Sequence, residues 1–371
     1  MGWWPSRICV LLNIVIMLGY GLIDVLIAGQ MLSAVNGHGL TVIVGVIIAA
    51  IITLPIALFG MKLFHKYERC AFIPQILVLF ILIGVAGPKF DTSSKSTGDG
   101  PTRSADQMSF FFLCVSNTVS WSPASADFYV YFPPTAHRWV VFMCTLLGLG
   151  LANMLAYMLG SGVASGVATN PTWKAAYEIS EGALLVEAFS PLGQFGKFCS
   201  VVVALGLIAN NATGTYSAGL SFQLLGRWLQ LVPRFIWVLV GVIIYTVCAC
   251  AGRNELFSVF QNFLALMGYW TSIWVSLTLE EEFIFRRHKG GPGYNWEAWN
   301  QPKQLPIGLA AFTSFCIGWV GAVLGMFQTY FTGPLGSLVG DGIDLGIPVA
   351  ASWAALTYPP LRWLELKYIG R

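Results

Sequence analysis

Ten long apolar runs set the terms on which this chain can fold. They lie at residues 8–35, 38–60, 70–88, 108–133, 138–165, 197–222, 234–251, 254–282, 305–331 and 343–366. A helix needs about 20 predominantly apolar residues to cross the hydrocarbon core of a bilayer, where every backbone polar group must be satisfied within the segment. Runs of that length from one end of the sequence to the other predict an all-α polytopic membrane protein, with residues 1–371 forming one transmembrane domain. Composition removes the main alternatives. Hydrophobic residues make up 56% of the chain and charged ones 10%, against about 25% charged in a soluble domain, so an ordinary soluble enzyme is excluded. A nucleic-acid partner is excluded as well, because the net charge is only +3 and Lys and Arg form no basic stripe interleaved with aromatics.

Metal and hydrolytic chemistry find no support. The eight cysteines, Cys9, Cys70, Cys114, Cys144, Cys199, Cys248, Cys250 and Cys316, lie in or beside apolar runs without metal-ligand spacing, and read as small apolar fillers. His38, His65, His137 and His288 are scattered, and no HExxH or GxSxG motif is present.

The hydrophilic stretch 89–107 is rich in Ser, Thr, Gly and Asp and reads as a solvent-exposed loop. A second loop, 166–196, contains the moderately amphipathic piece EISEGALLVEAF, expected to lie on the membrane or to cap the bundle. Placing the N-terminus in the cytosol puts 14 of the 20 basic residues on the inner side: Arg7, Lys62, Lys66, Arg69, Arg138, Arg227, Arg234, Arg286, Arg287, Lys289, Lys303, Arg362, Lys367 and Arg371. Basic loops are retained in the cytosol. Both termini are therefore expected inside, with 89–107 and 166–196 extracellular and 283–304 cytosolic.

Polar residues inside the apolar runs are the candidates for function. SNTVSWSPASADFYVYFP, residues 116–133, places a proline, an aspartate and several hydroxyls in the fourth run, with Trp121 at its centre. A break at Ser122-Pro123 survives in a membrane only against protein or a watery cavity, and a helix broken near mid-membrane is a known way to hold a solute. Trp121 offers a flat face on which a ring ligand would stack. Asp127 follows the break, where an acid can also cap the next helical segment. Tyr20 and Asp24 share one helix face in the first run, and a mid-membrane aspartate, which costs about 2.5–3.5 kcal/mol on insertion scales, is a functional candidate by default. Asp24 and Asp127 are read as the acids clearly inside spans, and both are candidates for binding a proton.

Asn210 and Asn211 stand side by side among small residues; their amides can read the edge of a heterocycle or tie helices together. Trp270 is a second ring platform. Glu280, Glu281 and Glu282, followed by Arg286 and Arg287, are expected to extend the eighth helix, with Glu282 and Arg286 paired at i,i+4 in a cytosolic structural or gating cluster.

The motifs WSPASADFYVYFP, IANNATGTYSAGLSFQ and ALMGYWTSIWVSLTLEEEFIFRR together resemble the nucleobase cation symporter family one, most closely its fungal purine-cytosine permease branch. The resemblance runs over essentially the whole chain. It implies a LeuT-like fold of two inverted five-helix repeats plus two further helices, twelve spans in all, of which the ten runs here correspond to the third to twelfth and the first two have no counterpart. It also implies a proton-coupled importer (symporter) of cytosine and of purines such as adenine, guanine or hypoxanthine. Transport would proceed by alternating access at the plasma membrane, with no cofactor beyond the coupling proton. On that mapping Trp121, with Ser122 beside it, is the stacking tryptophan, Asn210 and Asn211 are the base-reading amides, and Trp270 is an aromatic of the tenth helix. Tyr20 stands where the branch usually has tryptophan and Asp24 where it usually has asparagine. Two alternatives stay open: a transporter of a related cationic or vitamin-like ring with Asp24 as counter-ion, and a truncated non-transporting or sensory membrane protein.

Overall fold

Helices occupy all ten apolar runs in the computed structural model, which describes residues 1–37, 39–59, 61–93, 98–287, 293–298 and 301–370. Lys289, Arg371, His38 and His288, named above, lie outside the described residues. In chain order the helices are α1 (Trp3–Val35), α2 (Val42–Phe59), α3 (Met61–Ala86), α4 (Gly100–Val119), α5 (Ser125–Tyr129), α6 (Arg138–Val167) and α7 (Pro171–Ile179). They continue with α8 (Glu181–Ala188), α9 (Gln194–Leu224), α10 (Arg227–Gln230), α11 (Arg234–Ala251), α12 (Leu256–Glu280), α13 (Leu309–Gly325) and α14 (Gly346–Ile369). Among the described residues, six are long and apolar enough to cross a membrane: α1, α2, α3 over Arg69–Lys89, α6, α9 and α11.

Three expectations need correction. The hydrophilic stretch 89–107 is not loop throughout, because α4 already starts at Gly100. Asp99 caps it by accepting from the Thr102 N–H at 3.1 Å, and Pro101 sits in the first turn. The ninth run is not one helix to residue 331: α13 stops at Gly325, and the antiparallel hairpin β1 (Phe327–Gln328) and β2 (Phe331–Thr332) follows, pairing Phe327 with Thr332. The third correction concerns α12, which ends in a π-turn over Glu281–Arg286. Its charged pairs consequently lie five residues apart instead of four: Glu281 with Arg286 at 2.8 Å and Glu282 with Arg287 at 2.6 Å. The cysteine expectation holds for Cys9 and Cys199, which are buried, whereas Cys70, Cys144, Cys248 and Cys316 are exposed; all eight are free.

The chain divides into two compact units. One comprises Met1–Asn13, Ser96–Tyr131 and Phe260–Arg371, and the other Ile14–Lys95 and Phe132–Val259. In the second unit α9 packs against α2, α3, α8, α10 and α11. From Asn211 to Gly219 every residue of α9 is buried. A helix enclosed on all sides must be lined by small residues so that its neighbours can approach, and the run NATGTYSAG meets that need with Tyr216 as its one large member. EISEGALLVEAF folds as the end of α7 and the whole of α8, both helices being too short to cross a membrane. Trp173 and Leu184 from these helices are buried with Leu82, Leu159, Val163 and Cys199 of α3, α6 and α9, so this segment caps the helices.

In the first unit α13 packs along α14. α4 is fastened to α12 by the Ser116 hydroxyl, which donates to the Leu264 carbonyl. Gly268 makes this crossing possible, since a Cβ there would come within 2.6 Å of the Ser116 Cβ.

Candidate functional site

The sequence-predicted residues fall into two sets, one in each unit. In the second unit, α1 brings Tyr20 and Asp24 to α9. The Asn210 Nδ2 donates to Asp24 Oδ2 at 2.8 Å across 186 residues of sequence. Asp24 is 7% exposed, and among the described residues no Lys, Arg or His forms an ion pair with it. Asn210 is exposed while Asn211, one residue on, is fully buried. Their surroundings therefore differ. Asn211 is held inside the unit: its Oδ1 accepts from the Thr215 hydroxyl at 3.1 Å, and its Nδ2 lies 3.5 Å from the Thr53 hydroxyl of α2. Gly21, between Tyr20 and Asp24, allows this closeness, because a Cβ there would stand 2.9 Å from Asn211 Oδ1 and 2.9 Å from a ring carbon of Tyr245 on α11.

The electrostatic character of this centre follows from its contents. A buried carboxylate with one neutral donor is poorly stabilised, and such groups take up a proton or attract a cation or donor. With one of its two N–H groups committed to Asp24, the exposed Asn210 amide still offers its second N–H and its carbonyl oxygen, and Asp24 keeps a second oxygen. The pair is thus an acceptor-rich edge at the middle of two long helices. Thr53, Thr215 and Tyr245 were missed by sequence reasoning. Single hydroxyls in apolar runs carry no signal, although Thr215 lies at i+4 from Asn211 and was accessible through helical spacing.

In the first unit the helix break falls where Ser122-Pro123 predicted. α4 ends at Val119, a 3-10 turn covers Ser122–Ala124, and α5 begins at Ser125. Hydroxyls add second bonds to carbonyls that flank the break and already accept backbone N–H groups: Ser120 donates to Ser116 O at 2.7 Å and Ser125 to Ser122 O at 2.7 Å. Trp121 and Ser122 are half-buried at the turn. Asp127 sits in the first turn of α5 but does not cap it, since Ala124 holds the N-cap position with no side-chain bond. Trp270 on α12 is 0% exposed, and its indole N–H finds no hydrogen-bond partner among the described residues. Its neighbour Tyr269, also unpredicted, donates to Asp344 Oδ2 at 2.8 Å, and Gln328 of β1 donates to the same oxygen at 2.7 Å.

A search of known protein families finds that the model for permeases of cytosine and purines, uracil, thiamine and allantoin matches residues 1–291. The chain belongs to this permease family. It is a transporter-family membrane protein and not an enzyme, and its all-α polytopic architecture fits the family's LeuT-like plan. Among curated proteins it is 31% identical over 420 aligned residues to a vitamin B6 transporter of Saccharomyces cerevisiae, covering 100% of this chain and 72% of the relative. It is 32% identical over 372 residues to a purine-cytosine permease of Emericella nidulans, covering 100% of this chain and 72% of that one. A purine-cytosine permease of Saccharomyces cerevisiae is 33% identical over 377 residues, with 99% and 70% covered. No solved structure matches. Among the described residues no group of three or more His, Cys, Asp or Glu could hold a metal ion.

Proposed function

We propose that this permease is a proton-coupled importer of small nitrogen heterocycles that carry hydrogen-bond donors, cytosine and adenine foremost, working by alternating access at the plasma membrane with both termini cytosolic. The Asp24–Asn210 pair carries this reading. An edge of carboxylate and amide oxygens complements an exocyclic amine, and a carboxylate with one neutral partner is a suitable site for the coupled proton. Asn211, bonded within α9 to Thr215 and lying 3.5 Å from Thr53 of α2, ties α9 to its neighbour beside the position from which Asn210 projects.

A second reading has its own support: the same acceptor-rich edge suits a pyridine-type ring bearing hydroxyls or a positive charge, and one relative is a vitamin B6 transporter. The test is uptake of radiolabelled cytosine, adenine and pyridoxine in a yeast strain lacking its own carriers for them, at acidic and neutral pH. The first reading expects cytosine or adenine uptake that rises with acidity and loses that dependence in Asp24→Asn. The second expects pyridoxine uptake that Asp24→Asn removes while cytosine uptake gains. No uptake of any of the three by correctly inserted protein would sink both and favour a sensory, non-transporting role.

A further inference from the structure

The C-terminal end of α12 holds a second buried charge system, wholly within the first unit and outside the residues assigned to ligand. Glu281 is its hub. Its Oε1 accepts from Arg286 Nε at 2.8 Å and from Arg362 Nη2 at 3.3 Å, and its Oε2 accepts from the Tyr358 hydroxyl at 2.9 Å and from Arg362 Nε at 3.2 Å. Arg362 continues to Glu365 at 3.3 Å. Glu365 in turn accepts from the backbone N–H groups of Gly308 at 2.8 Å and Ala310 at 3.4 Å, at the start of α13. Arg286 also donates to the Gly293 carbonyl at 2.8 Å. Two carboxylates and two guanidinium groups thus join α12, α14, the start of α13 and the intervening loop, with the Met1 amino group nearby. A cavity of about 320 Å³ adjoins them, bordered by Trp274, Thr278, Glu281 and Arg286 among others.

The backbone beneath this hub is the unusual element. In an α-helix residues five apart are separated by about 140° around the axis, so Glu281 and Arg286 would face different ways. The π-turn brings them onto one side, and its signature bond is present: the Arg287 N–H donates to the Glu282 carbonyl five residues back at 2.8 Å. Such turns are rare and concentrate at functional sites. Here the wide turn and the ion network require each other. If Glu281 lets go, the segment is free to return to α register, and everything beyond the turn rotates relative to α12. Trp270 lies eleven residues before Glu281 on one continuous helix, about 16 Å along its axis.

We propose that Glu281 is a positioning residue for transport: through Arg286 and Arg362 it holds the π-turn, and thereby fixes the rotation of α12, with Trp270 on it, against α14. The inference rests on the transporter reading above. Its test compares the full chain with Glu281→Gln, which keeps size and hydrogen-bonding capacity but removes the charge, and with Glu282→Gln on the exposed side of the same turn. Hydrogen exchange followed by mass spectrometry is expected to show amides of 277–287 and 305–312 exchanging about tenfold faster in Glu281→Gln, with 100–119 of α4 unchanged. Uptake per molecule of the best substrate should fall about tenfold in maximal rate with KM within twofold, and Glu282→Gln should change neither.

Unaltered exchange in the two segments would overturn the proposal. So would equal acceleration in α4, which would make the network a plain brace of the fold, or a raised KM at full maximal rate, which would place Glu281 with the substrate. If the unaltered chain takes up no heterocycle, the transporter reading fails, and the exchange comparison still decides whether Glu281 holds the turn.

Discussion

Two buried acids in this permease are treated in opposite ways. Asp24 has one neutral hydrogen-bond partner, Asn210. Glu281 has two arginines and a tyrosine. Burying a carboxylate is costly unless it is paired, so the arrangement around each acid indicates what it is for. Glu281 is saturated by its own chain and has no capacity left for a ligand. Asp24 has a single neutral donor among the described residues, which is the environment the proposed role in binding a proton or a solute requires. On that reading the difference separates a group that fixes geometry from one that binds.

The largest expected effect breaks the second of these arrangements. Arg362→Ala leaves both Glu281 and Glu365 without their shared cation, and removing one member of a buried ion pair costs about 3–5 kcal/mol. The melting temperature of the purified protein in detergent should drop steeply, or the protein should fail to accumulate. A melting temperature equal to that of the unaltered chain would show that the network carries no stability. Asn210→Ala should do the reverse. It removes the one donor to Asp24 found among the described residues and leaves the packing of the helices in place, so the fold is expected to melt within a few degrees of the unaltered protein. Uptake, however, should fall by about 100-fold, the scale of a hydrogen bond to a charged group. If stability collapsed while the surviving protein transported normally, Asn210 would be interhelical glue, and the contrast between the two acids would be lost.

A smaller effect sharpens the picture around Asp24. Gly21→Ala places a methyl group 2.9 Å from both Asn211 Oδ1 and the Tyr245 ring. Overpacking of this kind costs about 1–3 kcal/mol, and it would push α1 away from α9. Uptake is expected to fall roughly tenfold, because the Asp24–Asn210 distance depends on that crossing. Full uptake in Gly21→Ala would mean that the close approach of the two helices does not set the site.

Sequence patterns revealed the membrane helices, the break after Val119 and each residue of the Asp24–Asn210 pair, since apolar run length and an acid or amide out of place are local signals. They did not reveal the pairing itself. Nothing in one chain says that position 24 meets position 210, because contacts between distant helices depend on packing that only the assembled unit defines. Thr53 and Tyr245 were invisible for the same reason. Glu281 was singled out only as part of a structural or gating cluster and Glu365 not at all, yet both are buried. The start of α4 was legible and went unused: Asp99-Gly100-Pro101 is an N-cap signature with proline in the first turn, overlooked because its composition resembles a loop. The hairpin at 327–332 was taken for helix since its residues are apolar enough to extend the run.

The smallest predicted effect is the one that isolates burial as the cause. Glu281 and Glu282 are neighbours in one π-turn, and each pairs with an arginine five residues later at similar distance. They differ in surroundings. The Glu281–Arg286 side chains are 12% and 19% exposed, whereas those of Glu282 and Arg287 are 26% and 58% exposed. Screening by water and the entropy of holding two long side chains leave an exposed pair worth about 0.2–1 kcal/mol. Glu282→Gln should therefore shift the melting temperature by no more than a degree or two, and added salt should erase even that. If Glu282→Gln destabilised the protein as much as Glu281→Gln, the π-turn itself and not the buried network would be the element under strain, and the pairing around Glu281 would be its consequence.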